Sequence, residues 1–192
     1  MIWTVIGVLK LGIILFREMS MRKSYILLIP VFFSCSYLLL SAYTNGDQVS
    51  YIKLYNALKY ASWSEVMDTV SAYVNSSGEP ITAYLLWLGA SFSIDKNIFI
   101  SILNTILCLG VYLIAKRNKV PFLPTFLLLT NFYLIVLATG AERLKIAYIL
   151  LVWGVLFGGR VGRFLIGISP FAHLQKFYLA VHCFVCAPNE VY

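Results

Sequence analysis

An all-α, polytopic integral membrane bundle is the fold class that the sequence predicts, on three observations. Apolar residues make up 60% of the 192 and charged residues only 12%, against roughly 45–50% and about 25% in ordinary soluble domains. Apolar runs near the roughly 20 residues that cross a bilayer recur from one end of the chain to the other. The cations fall in short clusters between these runs, not along one polar face. The excess of 15 basic over 8 acidic residues therefore reads as a topology signal and not as a nucleic-acid surface.

Residues 1–192 read as a single transmembrane domain, with about six spanning helices and one short re-entrant or half-buried helix. The first run, Ile2 to Phe16, carries Lys10, which snorkels to the membrane surface. The second, Tyr25 to Tyr43, follows "MRK" as a secretory signal would, but its length and the apolar run before it favour a retained helix. Residues 44–79 form the only long polar stretch, with turn chemistry at "TNGD" and "NSSGEP". Its middle, "SYIKLYNALKYASW", suits a helix lying on the outer membrane face. Pro80 to Ile94 comes next; fifteen residues rise only about 22 Å of a roughly 30 Å hydrocarbon core. Ile98 to Ala115, Phe122 to Thr139, Ala141 to Gly159 and Phe164 to about Ala187 complete the set.

Topology follows from the cations, which collect in short cytoplasmic loops. If all seven runs cross, the thirteen Lys and Arg that lie between runs or at their ends, Lys96 and Lys145 among them, divide six against seven and give no bias. If Pro80 to Ile94 enters and leaves on one side, Arg17, Arg22, Lys23, Lys116, Arg117, Lys119, Arg160 and Arg163 are cytoplasmic, eight against five outside. Asp47, Glu65, Asp68, Glu79, Asp95 and Glu142 then lie outside and Glu18 inside. Re-entry is the favoured layout, and a short span in a thinned bilayer is its rival.

Under that layout Asp47, Glu79 and Arg143 share the outer face, and His173 stands partway along the last helix. An arginine just inside a membrane helix needs a partner or water. Snorkelling, with pairing to Glu142 or Glu79, is the plain reading; an anion site is the other. Ala147, four residues on, leaves room beside the Arg143 guanidinium, whose planar donors and permanent charge suit a diphosphate. Asp47, Tyr51 and Tyr55 are also spaced by four, which sets a carboxylate and two rings on one face. Those rings pack on sugars or anchor the helix at the interface. His173 is a candidate acid, base or hydrogen-bond donor, or a histidine satisfied within the bundle. Cys35 and Cys108 fall in apolar runs as small hydrophobes, and Cys183 with Cys186 lacks the second pair that zinc needs. No disulfide framework, metal or cofactor is predicted.

Four short motifs occur in order: "NGDQVSY" with Asp47 and Tyr51, "GEP" with Glu79 and Pro80, "ERLKIA" with Arg143, Ile146 and Ala147, and "FAHLQKFYL" with His173. The set resembles the EpsG-like branch of the Wzy-type bacterial polysaccharide polymerases, which make O-antigen, capsule or exopolysaccharide. Most of residues 24–180 carry the resemblance. It departs from the family pattern at "GDQV", where Gly-Thr-Asp-Tyr is usual, and in length, so that the chain corresponds to the N-terminal part of a longer family fold.

The resemblance implies a multi-pass protein of the bacterial plasma membrane that joins polyprenyl-diphosphate-linked oligosaccharides at the outer face. Flippase and chain-length regulator proteins of the same pathway would be its partners. Arg143 would stabilise the leaving diphosphate, His173 or Asp47 would take the acceptor proton, and Tyr51, Tyr55 and Glu79 would bind substrate. A glycan transporter or export component, in which Arg143 and His173 line a path, is the alternative, and an inactive truncated remnant is another.

Overall fold

Helix α1, Ser24–Ala42, is almost wholly apolar and contains Pro30. The computed structural model describes residues 24–73 and 79–173. Helix α2, Asp47–Leu58, follows after Gly46, whose φ of +62° is a left-handed conformation that glycine tolerates best. The two helices are bent by 103° from one another. Gln48, Tyr51, Leu54, Tyr55 and Leu58 are the buried stripe of α2, spaced by threes and fours as one helix face requires.

A short 3₁₀ turn, Trp63–Glu65, leads into α3, Val66–Tyr73. It is pinned by Glu65 Oε2, which accepts the Ser62 backbone N–H at 3.0 Å, the return half of an S-x-x-E cap. Helix α4, Pro80–Ser91, begins with proline at its first position, where the missing N–H costs nothing. Asp95 then caps α5, Lys96–Arg117, by accepting the N–H groups of Asn97 and Ile98 at 2.9 and 3.1 Å. Lys116 and Arg117 close α5, where cations complement the negative helix end.

The run Phe122 to Thr139 becomes two helices, α6 (Phe122–Leu129) and α7 (Phe132–Thr139), bent by 41°. Asn131 explains the break: its side chain accepts the Tyr133 N–H at 2.8 Å and starts a new helix. Helix α8, Glu142–Phe157, is followed by α9, Gly159–Ile168, and a 3₁₀ turn, Ser169–Phe171. Gly158 and Gly159, at φ of +58° and +53°, make the reversal between α8 and α9.

All regular structure among the described residues is helical, but the spans are fewer than the six predicted. Among the described residues Lys96–Arg117 alone is long and apolar enough to cross a membrane; counting each bent pair, 26–42 with 47–58 and 122–129 with 132–139, as one span gives three. The reasons are local. The run Ala141 to Gly159 yields a helix of 16 residues, about 24 Å long, and Asn131 divides the run before it. Ile2 to Phe16 and the stretch beyond His173 lie outside the described residues.

A second correction concerns the last run. Its helix starts five residues earlier than Phe164, at Gly159, and ends at Ile168, because Pro170 has no N–H to offer the Ile166 carbonyl, which accepts the Ser169 hydroxyl at 2.9 Å instead. His173 consequently follows a 3₁₀ turn and is not partway along a helix. Pro80 to Ile94 begins and ends beside one turn of α8: Glu79, just before it, pairs with Arg143 at 3.3 Å, and Lys96, just after it, lies 3.7 Å from Glu142.

Candidate functional site

Chain reversal at Gly158 sets residues 143 and 173 the same number of positions from the turn, so α8 and the segment through α9 return to one level. Close approach makes the return possible. A Cβ on Gly162 would meet the Gly154 carbonyl oxygen at 2.3 Å, so no other residue lets α9 lie so near α8. The end of the returning segment is fixed by Thr82 of α4, whose Oγ1 donates to the Ala172 carbonyl at 2.8 Å.

Four side chains meet there. Glu79, 5% exposed, holds His173 Nδ1 with Oε1 at 2.7 Å and faces Arg143 Nη1 with Oε2 at 3.3 Å. That second oxygen makes an ion pair but no hydrogen bond. Arg143 also donates from Nε to the Tyr51 hydroxyl at 3.0 Å. A cavity of about 10 Å³ lies among Tyr51, Glu79, Thr82, Ala83, Leu86 and Arg143, space for about one water. That space is too small for a diphosphate.

Of the six candidates from the sequence, Tyr51, Glu79, Arg143 and His173 are therefore brought together. Asp47 is not among them: it stands exposed in the first turn of α2, and the neighbouring Gln48 takes the inward position. Tyr55 is buried, but its hydroxyl donates to the Ile94 carbonyl at 3.2 Å and its ring lies against Phe99. It ties α2 to the loop before α5.

Beside this group lies a second polar centre that the sequence reading missed. Glu142, 1% exposed, binds Lys145 Nζ at 2.8 Å and Gln48 Nε2 at 3.0 Å. Lys145, fully buried, also donates to the Ala138 carbonyl at 3.1 Å. Gln48 in turn accepts from Lys96 and donates to the Thr139 carbonyl. By sequence position Lys96 and Lys145 are loop cations that report topology, whereas in the structure both are buried partners of one carboxylate. The Glu142 to Lys145 spacing of three was the signal available.

Together the two centres hold Lys96, Arg143 and Lys145 against Glu79 and Glu142, three cations to two carboxylates. The first turn of α8, a positive helix end, lies among them. An anion is the ligand such an end favours. Among the described residues no three His, Cys, Asp or Glu side chains come close enough to share a metal. The chain matches no protein-family model, no curated protein and no solved structure.

Proposed function

We propose that the chain is a membrane glycosyl-transfer enzyme of the Wzy type, which extends a glycan carried on a polyprenyl diphosphate. The observation that supports it most is Glu79 held between Arg143 and His173, three residues drawn from separate segments and all within the motifs that resemble the polymerase family. The one to three candidate spans among the described residues support a membrane location.

In the reaction the hydroxyl oxygen of the acceptor sugar attacks the anomeric carbon of the donor. The bond from that carbon to the diphosphate oxygen breaks, and its electron pair leaves with the diphosphate. Charge grows on the leaving group, so a guanidinium fixed beforehand stabilises the transition state more than the ground state. Arg143 takes this part, and the incoming diphosphate replaces Glu79 as its partner. His173 takes the hydroxyl proton, with Glu79 orienting the imidazole through Nδ1 and stabilising its charged form. Asp47, exposed and outside the cluster, is the weaker candidate base. The leaving group needs no nucleophilic side chain.

Arg143→Lys tests this reading. Lysine keeps the charge but loses the planar pair of donors. In the producing bacterium the variant, inserted at the normal level, should make about 10²-fold less long-chain surface glycan, the scale of removing one transition-state donor. A normal ladder of long chains would sink the proposal.

A further inference from the structure

Away from the charged cluster, on the neighbouring face of α4, lies an aromatic ledge. Trp63 is 61% exposed. It stacks on Tyr84 with ring centroids 4.2 Å apart and 28° between planes, and Trp87 meets it edge-on at 5.2 Å. Trp87 spends its own N–H on the Ala61 carbonyl at 2.9 Å. One face of the Trp63 indole is thus backed by protein, and its orientation is set by two rings and the capped 3₁₀ turn.

The residues that flank Trp63 in the chain are polar. Ser62 and Ser64 flank the indole, with their hydroxyls 3.2 Å apart. The exposed Glu65 carboxyl accepts the Ser62 backbone N–H, which holds it below the usual carboxylate range. Between Lys59 and Lys96 the chain has no Lys or Arg, yet it has Glu65, Asp68, Glu79 and Asp95. Beside the indole, Ser62, Ser64 and Glu65 supply two hydroxyls and a carboxylate, which accept hydrogen bonds from neutral polyols.

We infer that Trp63, backed by Tyr84 and Trp87 and rimmed by Ser62, Ser64 and Glu65, is a binding platform for a neutral sugar ring of a glycan chain. A pyranose has an apolar face of C–H groups that covers an indole and an equatorial belt of hydroxyls that the rim can hydrogen-bond. Position supports the assignment. Tyr84 and Trp87 each follow by one residue a side chain that lines the Arg143 cavity, Ala83 and Leu86, and one residue turns a helix by about 100°. The platform and the cavity therefore wrap adjacent sides of α4. Resting on the glycosyl-transfer reading, the platform holds the glycan at some remove from the reacting ends.

The test uses the protein in phosphatidylcholine nanodiscs, labelled with 5-fluorotryptophan, with Trp63→Phe to assign the resonance. The probe is the oligosaccharide released by mild acid from the producing strain's own surface polymer. The expected result is a saturable shift of the Trp63 resonance and about tenfold weaker binding in Trp63→Ala, the upper end of an aromatic contact's worth. Trp63→Phe, which keeps a ring, should keep most of the affinity. A Trp63 resonance that ignores the oligosaccharide, or broadens instead with headgroup-spin-labelled lipid, would overturn the platform. Arg143→Lys in the same assay separates the two proposals. Retained binding with normal polymer length leaves the platform standing and removes the polymerase; absent binding in the parent with polymer lost in Arg143→Lys does the reverse.

Discussion

Replacing Glu79 by glutamine removes the one negative charge that Arg143 and His173 share, while keeping nearly the same shape. Breaking a buried ion pair by removing one partner costs about 3–5 kcal/mol, but Arg143 reaches solvent, so a loss of about 1–3 kcal/mol is expected here. Thermal unfolding in detergent measures it, and an unchanged melting temperature would show that the three side chains do not depend on one another. Lys145 poses a different question, because it is fully buried with Glu142 as its carboxylate. Lys145→Met alone leaves Glu142 with Lys96 and Gln48. Adding Glu142→Gln removes the charge that was stranded. The double variant should therefore lose less stability than the sum of the two singles, by about 0.5–3 kcal/mol, and strict additivity in a double-mutant cycle would refute the coupling. At this scale the sequence was partly legible. Arg143 stood out because a guanidinium in an apolar run requires an explanation, whereas Lys145, two residues on, looked like one more flanking cation. Burial distinguishes them, and burial depends on residues far away along the chain, such as Gln48 and Lys96.

The decisive element is the hairpin of α8 and α9. It is built on Gly158 and Gly159 at the turn and on Gly154 and Gly162 at the contact, where a Cβ on Gly162 would press into backbone and not into a yielding side chain. Gly162→Ala should force the helices apart at a cost of about 1–3 kcal/mol. Because α9 leads to His173, the same change should also lengthen the His173 to Glu79 contact. A melting temperature equal to the parent's would count against so tight an approach. Glycines at 154, 158 and 162 were visible in the sequence, but as a spacing alone they do not say that the chain turns back between them. The run from Phe164 onward likewise reads as one helix in the sequence, because apolarity without periodicity does not locate an end; Pro170 locates it. The turn at Ser62 to Glu65 carries its own expectation. Glu65 has a folded pKa below its ordinary value, so its cap is complete above that ordinary value and is lost as pH falls through the lower, folded one. The Trp63 resonance should be steady from neutral pH down to about 4.3 and should move only below that. A shift centred near neutrality would point to another group.

For the whole molecule the question is which ends face the same way. Arg117 Nη1 donates to the Leu156 carbonyl at 3.2 Å, so the basic end of α5 adjoins the reversal at Gly158, while Lys96, Glu142 and Glu79 gather at the opposite end of α8. In a background with the four native cysteines replaced, cysteines at Ser64 and Asp47 should react with an impermeant maleimide applied to intact cells. Cysteines at Lys119 and Arg160 should react only after permeabilisation. Labelling of all four from outside would overturn this orientation and, with it, an outer-face site.

What the chain determines by itself is its class and its cast of residues. Composition predicts apolar helices, the described residues are all-helical with one to three candidate membrane spans, and the charged residues that interrupt apolar runs are few enough to name. Which of those residues touch is a different matter. A run of leucine and isoleucine fixes neither helix length nor direction, so the breaks at Asn131 and Pro170, the count of spans and the return of α9 all follow from caps and close contacts. Glu79 meets Arg143 and His173, and Gln48 displaces Asp47 from the interior, because packing decides which face of α2 turns inward. No local pattern within α2 distinguishes those two neighbours.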